Sequence, residues 1–198
     1  MHMFTGIIEA TGKIISIREE GSNKRFTVES SISSALNPDQ SVSHDGVCLT
    51  VVAVHGNQHE VVAVDETLSR SNFGFKQEGN ILNLERSVSL NARMDGHIVQ
   101  GHVDDTAIVN RIEEKNGSWL FEFSYRKKEA ALLVDKGSVS INGVSLTVIK
   151  PKRKKFSVAI IPFTYEHTNF SELKEGHTVN LEFDIIGKYV QRIMELRK

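Results

Sequence analysis

Five side chains in this sequence have the chemistry to move a proton or meet developing charge: Cys48, His102, Lys136, Ser145 and Asp184. Cys48 and Ser145 occupy near-identical surroundings, Gly46-Val47-Cys48-Leu49-Thr50 and Gly143-Val144-Ser145-Leu146-Thr147. On an extended strand, Cys48 and Thr50 share one side while Leu49 takes the other, and Ser145 and Thr147 do the same about Leu146. A polar i, i+2 pair beside a glycine suits a pocket wall that hydrogen-bonds a planar ligand. The plainer alternative is that both pairs satisfy backbone at a strand end.

His97 and His102 lie in Gly96-His97-Ile98-Val99-Gln100-Gly101-His102. An imidazole exchanges protons near neutral pH, and Gly101 would let a ligand approach the backbone closely. Five residues apart on an extended segment, the two rings face opposite sides, which argues against a shared metal site. His102 is favoured as proton carrier, and His97 reads more as a junction histidine bonded to backbone. Asp184 follows an Asn-Leu-Glu strand, and Lys136 precedes Gly137 in a probable turn, with Gln40 its nearest equivalent. Each alone is a surface charge by default.

These residues are set in an internal duplication. Val42–Val51 reappears as Val139–Val148 with seven of ten positions identical. At the same offset of 97, Thr67–Phe73 answers to Thr164–Phe170 and Gly79–Glu85 to Gly176–Glu182. The chain start aligns with the junction at an offset of 95, pairing Gly6 with Gly101, Ile7 with His102 and Thr11 with Thr106. The mismatches are Ile7 against His102, Cys48 against Ser145 and Ser87 against Asp184, so the second copy carries ionisable groups that the first lacks.

A repeat this long suits two complete small domains rather than a solenoid. Period-2 alternation predicts strands at Lys13–Arg18, Arg25–Glu29, Val42–Val54 and Glu60–Val64, and again at Ala107–Glu113, Trp119–Ser124, Val139–Lys150 and Phe156–Ile161. Short strands with Gly/Asn turns favour closed barrels, which leave no exposed edges. Short helical segments are expected at Ser31–Leu36, at Lys127–Val134 and after each Thr67 and Thr164 block. The domains divide as 1–96, 97–186 and 187–198, with Ser87–Gly96 as linker. In the last, Tyr189, Val190, Ile193, Met194 and Leu196 recur at helical spacing. That helix either docks on its own domains or pairs with copies of itself.

The chain has 39% hydrophobic and 25% charged residues and a net charge of −1, so it lacks the basic field that nucleic-acid binding needs. Aromatic residues make up only 7%, against an oligonucleotide-binding barrel with stacking platforms. The basic run from Lys150 to Lys155 reads as a solvated hairpin turn. The single cysteine, Cys48, excludes an intramolecular disulfide. With no apolar run near ~18 residues and no leader pattern, a cytoplasmic protein is expected, with no membrane partner. Met1-His2 ahead of Met3 reads as a trivial extension.

Met3-Phe4-Thr5-Gly6-Ile7, the junction from Gly96 to His102 and both Gly-x-Cys/Ser-Leu-Thr motifs, in this order and spacing, resemble the riboflavin synthase family from Met3 onward. The resemblance implies an all-β fold of two six-stranded Greek-key barrels and a C-terminal helix. The assembly it implies is a homotrimer joined through those helices, with the active site between the first barrel of one subunit and the second barrel of its neighbour. It also implies a cofactor-free dismutation of two 6,7-dimethyl-8-ribityllumazine molecules to riboflavin and 5-amino-6-ribitylaminouracil. Whether such a trimer associates with lumazine synthase is left open.

Carried over by motif, the first barrel's substrate would meet Gly6, Ile7, Ile8, Ser41, Cys48, Leu49 and Thr50. The stretch Val62, Ala63, Val64, Asp65, Glu66 and Thr67 completes that site. The second substrate would meet Gly101, His102, Val103, Lys136, Ser145, Leu146 and Thr147. The stretch Ile160, Ile161, Pro162, Phe163, Thr164 and Tyr165 completes the other. His102 and Ser145 are the expected proton carriers, Lys136 and Asp184 the groups that stabilise charged intermediates, and Cys48 lines or activates the acceptor side. Phe163 stands where the family usually has a polar residue. Asp45 and Asn142 stand where it usually has Asn and Asp. The rival reading is a non-catalytic antenna protein that binds lumazine or flavin. Such proteins tend to lose the junction histidines and the second Ser-Leu-Thr, both present here.

Overall fold

Alternating apolar residues build the first copy from β1 (Ala10–Glu20), β2 (Asn23–Ser30), β3 (Ser41–His44), β4 (Val47–His55), β5 (Gln58–Ala63) and β6 (Ile81–Arg86), with helix α1 (Asp65–Arg70) between the last two. This computed structural model describes residues 3–89, 91–125 and 132–197. The six strands close in the order β1-β2-β5-β4-β3-β6, β1 pairing with both β2 and β6. The non-sequential order is the Greek key, and closure removes the free edges that an open sheet would expose.

The second copy repeats the plan with β7 (Asp105–Glu114), β8 (Trp119–Tyr125), β9 (Ser138–Ile141), β10 (Val144–Thr147), β11 (Ile149–Lys152), β12 (Lys155–Ile160), helix α2 (Pro162–His167) and β13 (Thr178–Phe183). Its sheet runs β10-β9-β13-β7-β8-β12-β11. β10 and β11 are the two halves of the strand equivalent to β4, so the barrel's seam is bridged by the chain itself at Val148. Lys150 adopts φ 47° there, and Pro151 has no N–H to donate to a ladder. In the first barrel the same place holds only a bulge, between Val51 and Ala53.

Two expectations change in detail. Val42–Val54 and Val139–Lys150 are not single strands. Asp45-Gly46 (φ 49° and 77°) and Asn142-Gly143 (φ 45° and 80°) turn the chain back. Asp-Gly and Asn-Gly are the pairs that tolerate two successive left-handed residues in a tight hairpin. Ser31–Leu36 condenses to one 3-10 turn at Ser33–Ala35, and the helices near Thr67 and Thr164 contain those residues rather than follow them. Of the segment expected to be helical at 127–134, residues 127–131 lie outside the described residues. The basic run forms the β11–β12 hairpin as expected.

The residues most alike between the copies join the barrels to each other. Gly46 and Gly143 meet so closely that a Cβ on Gly46 would stand 2.7 Å from the Gly143 nitrogen. Around them, Asn83 Nδ2 donates to Asn169 Oδ1 (2.9 Å) and the Asn169 amide donates back to Asn83 Oδ1 (2.7 Å). Asn180 Oδ1 accepts from the Asn72 amide at 2.7 Å, and Asn180 Nδ2 donates to the Asp45 carbonyl at 2.8 Å. All these side chains are buried, where polar groups need partners, and these four hydrogen bonds take theirs from the other barrel.

The two cores differ. The second is rich in rings: Phe121, Phe123, Tyr125, Phe156, Phe170 and Phe183. The first places His44 and His59 where the second has Ile141 and Phe156. His44 Nε2 and His59 Nε2 lie 2.8 Å apart, both side chains at 0% exposure.

Helix α3 (Ile185–Leu196) follows β13, capped by Asp184, whose Oδ1 accepts from the Ile186 amide at 3.0 Å. It touches the second barrel near its start, where Lys188 pairs with Asp104 at 2.5 Å and Gly187 faces Leu132. Ile186, Tyr189, Val190, Ile193 and Met194 are all exposed. Among the described residues nothing covers that stripe.

Candidate active site

The segments ahead of β1 and β7 each cross to the opposite barrel. Phe4 and Val99 exchange backbone hydrogen bonds of 2.8 and 3.0 Å where the segments pass. Beyond that crossing, the Ser145 amide donates to Gly6 O at 2.8 Å, and the Cys48 amide donates to Gly101 O at 2.9 Å. Ile8 packs on the second barrel's core and Val103 on the first's. The neighbour that needs the bare backbone of Gly101 is therefore Cys48: a Cβ there would come within 2.5 Å of the Cys48 Cβ, and one on Gly6 within 2.6 Å of Ser145 Cβ. The grouping by chain order is exchanged. Gly6, Ile7 and Ile8 accompany Ser145, and Gly101, His102 and Val103 accompany Cys48.

At the first barrel, Val47, Cys48, Glu66, Thr67, Arg70, Ser71, Gly101, His102, Val103 and Asp104 line a cleft of about 370 Å³. Cys48 and Thr67 are half-buried and His102 is exposed at its mouth. Leu49 faces the core, as the alternation requires. Burial pushes the Cys48 thiol up, a hydrogen bond with Ser41 works against that, and the charge of Glu182 adds to the rise. A thiol held protonated lines the cleft rather than acting as a ready nucleophile. Of the neighbouring stretch, Ala63 is buried in the core, while Val64, Asp65 and Glu66 are exposed and Val62 is half-buried.

At the second barrel, His97 Nδ1 lies 2.6 Å from the Ser145 hydroxyl. His102 faces the Cys48 cleft instead, so the two junction rings do take opposite sides. Burial lowers the His97 pKa, and the charge of Asp184 pulls it partly back. A neutral imidazole on a serine hydroxyl is a base–hydroxyl pair able to take or return a proton. Leu146 and Tyr165 pack against the barrel's core, with Trp119 stacked on Tyr165 at 3.8 Å and 6°. Thr147, Ile161, Pro162 and Phe163 are exposed, Thr164 is half-buried, and Ile160 points into the core. Thr50 is exposed at the first barrel, and Ser41 is buried beside it across the β3–β4 ladder.

Lys136 is exposed, with φ 66°, and its amide donates to Val148 O at 2.9 Å. Asp39, with φ 70° and its amide on Val51 O at 2.9 Å, is its true counterpart, not Gln40. Sequence reading missed Arg70, Ser71 and Asp104 in the first cleft and Trp119 behind Tyr165. Arg70 could have been flagged by its position one helical turn beyond Glu66, with which it pairs at 3.1 Å. Nothing in the local sequence of Trp119 marks it.

Two tandem barrels trade opening segments, the architecture of a duplicated-domain protein, and residues 5–87 and 100–184 each match the lumazine binding domain model. The chain is 37% identical to riboflavin synthase of Actinobacillus pleuropneumoniae and 38% identical to that of Bacillus subtilis (strain 168), over 97% of this chain and 90% of each relative. It is 38% identical to riboflavin synthase of Mycobacterium tuberculosis (strain ATCC 25618 / H37Rv), over 97% of this chain and 98% of the relative. In fold it is similar to LumP complexed with riboflavin, with a TM-score of 0.85 and 21% identity, covering 91% of this chain and 98% of that one. The chain belongs to the riboflavin synthase family.

Proposed function

We propose that this enzyme is a transferase that converts two molecules of 6,7-dimethyl-8-ribityllumazine into riboflavin and 5-amino-6-ribitylaminouracil. A base removes a proton from the C7 methyl of one lumazine, and a nucleophile adds to the other. A four-carbon unit leaves one ring system and joins its twin. Every atom of the two substrates is found in the two products, and no net oxidation occurs.

The observation that carries the reading is a pair of equivalent but unequal half-sites, Cys48 with His102 and Ser145 with His97. Two like pockets suit two identical reactants, and unequal polar groups suit one giving and one receiving. In this reading Ser145 and His97 form the proton-transfer pair, Asp184 supports the imidazole, His102 serves the Cys48 half-site, and Lys136 stabilises charge at the rim. Alignment of the two rings supplies the largest share of the rate, since well-oriented reactants can recover up to about 7–11 kcal/mol of barrier.

The cleft around Cys48 contains no residue of the Ser145 half-site. That separation supports a reaction chamber formed between subunits, and the exposed stripe of α3 supports assembly as a homotrimer through this helix. A lone half-buried cysteine suits the reducing cytoplasm, where we place the enzyme.

The deciding experiment mixes the protein with 6,7-dimethyl-8-ribityllumazine and no added cofactor. Riboflavin should appear at one molecule per two substrates consumed. Stable binding without turnover would instead make this an antenna protein.

A further inference from the structure

We infer that Glu85 and Glu182 are positioning residues, each a buried clamp by which one barrel holds the half-site of the other. The roles rest on the half-sites described under the proposed function, whereas the clamp itself rests on geometry alone. Glu182, on β13 of the second barrel, accepts from the amides of Gln100 (2.7 Å), Gly101 (3.0 Å) and His102 (3.1 Å). Glu85, on β6 of the first barrel, accepts from the Thr5 amide (2.6 Å), the Thr5 hydroxyl (2.8 Å) and the Gly6 amide (3.0 Å). Both residues are 3% exposed.

Six donors converge on two almost fully buried carboxylates, and five of the six are backbone. Converging amides of this kind make an anion site like the one a ligand phosphate finds at a chain turn. Here the anion is the protein's own, and the donors belong to the exchanged segments. The carboxylate fixes the segment at one residue, and the segment's next contact is across the divide. Glu182 holds Gly101, whose carbonyl receives the Cys48 amide, and Glu85 holds Gly6, whose carbonyl receives the Ser145 amide. His102 and Ile7 follow directly in the chain. So the side chain that aims His102 at Cys48 belongs to the barrel that does not contain Cys48.

Burial raises both carboxyl pKa values to about 7, while the hydrogen bonds from the clamped segments oppose the rise. The ionised form is the one that can accept on both oxygens. Glu182 thus has a second effect on Cys48, since its charge adds to the rise that burial imposes on the thiol.

Cys48 is the only cysteine and makes a built-in reporter. Alkylation by iodoacetamide, followed against pH in the full-length protein, yields a plateau that reads access and a midpoint that reads charge. Glu182→Gln should raise the plateau about tenfold, the effect of losing one charge-assisted hydrogen bond on a local opening, and should lower the midpoint. Glu85→Gln, although in the same barrel as Cys48, should leave both unchanged. In a Cys48→Ser/Ser145→Cys chain the responses should be reversed, with Glu85→Gln opening the site and Glu182→Gln silent. If Glu182→Gln does not fold, Glu182→Asp, which keeps the charge but shortens the reach, should raise the plateau without lowering the midpoint. A plateau indifferent to Glu182, or one moved equally by Glu85→Gln, overturns the inference. Cross-barrel responses in a protein that makes no riboflavin would leave the clamp standing and remove only the catalytic reading.

Discussion

His97 Nδ1 stands 2.6 Å from the Ser145 hydroxyl, although the two residues are 48 positions apart, one in the junction segment and the other on β10. The contact exists because Gly96 slips between Thr5 and Ser145: a Cβ on Gly96 would lie 2.0 Å from the Thr5 carbonyl. If the pair works as one unit, His97→Ala and Ser145→Ala should each lower kcat by about 100-fold or more. The double variant should be little worse than either alone, because removing one member of a proton-transfer pair idles the other. His102→Ala, acting at the other half-site, should instead combine additively with Ser145→Ala. Single-turnover kinetics of these five variants distinguish the patterns.

The histidine pair inside the first barrel predicts acid sensitivity. His44 Nδ1 lies 3.0 Å from the Val42 carbonyl, which fixes its proton there and leaves Nε2 to accept from His59, while Ser33 Oγ lies 2.7 Å from His59 Nδ1. Burial lowers the pKa of His44 to about 3, with the neighbouring His59 adding to the effect, and burial lowers that of His59 to about 4. The unfolded chain therefore binds more protons than the native one once pH falls below about 6.5, and stability is lost from there down toward pH 4 and 3. The loss should amount to a few kcal/mol. His44→Ile/His59→Phe, which installs the second barrel's own residues, should flatten the pH dependence of Tm across this window.

Asp45 is a charged member of the inter-barrel network, and Lys76 Nζ meets its Oδ2 at 2.6 Å, with side-chain exposures of 12% for Lys76 and 0% for Asp45. At the equivalent places the second barrel has Asn142 and Leu173, so charge and counter-charge are present together or absent together. Lys76→Leu alone should cost about 3–5 kcal/mol, because it strands a buried carboxylate. Adding Asp45→Asn should recover most of that loss in chemical denaturation. Equal destabilisation of the single and double variants would show that the pair is not coupled.

The bare stripe of α3 predicts its own test. Ile193→Glu places a charge in the middle of that stripe, away from the Lys188–Asp104 contact. It should yield a folded chain of monomer mass by light scattering, and riboflavin formation should fall with the loss of assembly. Retention of the oligomer would show that another surface joins the chains.

The duplication, the strand periodicity, the terminal helix and the paired Cys48 and Ser145 motifs are all legible in the sequence, because each depends on residues near one another in the chain. Asp45-Gly46 and Asn142-Gly143 are local turn signals too, and a stricter reading of them would have divided β3 from β4. What the repeat is for was not legible. Its best-matched residues, Gly46, Asn72 and Asn83 with their counterparts, serve the contact between barrels more than any ligand. The backbone that Gly46 and Gly143 each face lies in the other copy, and no local pattern records that.

The sequence by itself determined that this protein is two like barrels with unlike chemical groups, since covalent order alone sets periodicity, turns and mismatches. Only the tertiary structure decided which groups meet. The opening segments cross, so Ser145 receives Gly6 and His97 while Cys48 receives Gly101 and His102. That partnership is set by long-range backbone hydrogen bonds and by two buried carboxylates that reach donors about 80 residues away in the chain, a separation no local pattern can report.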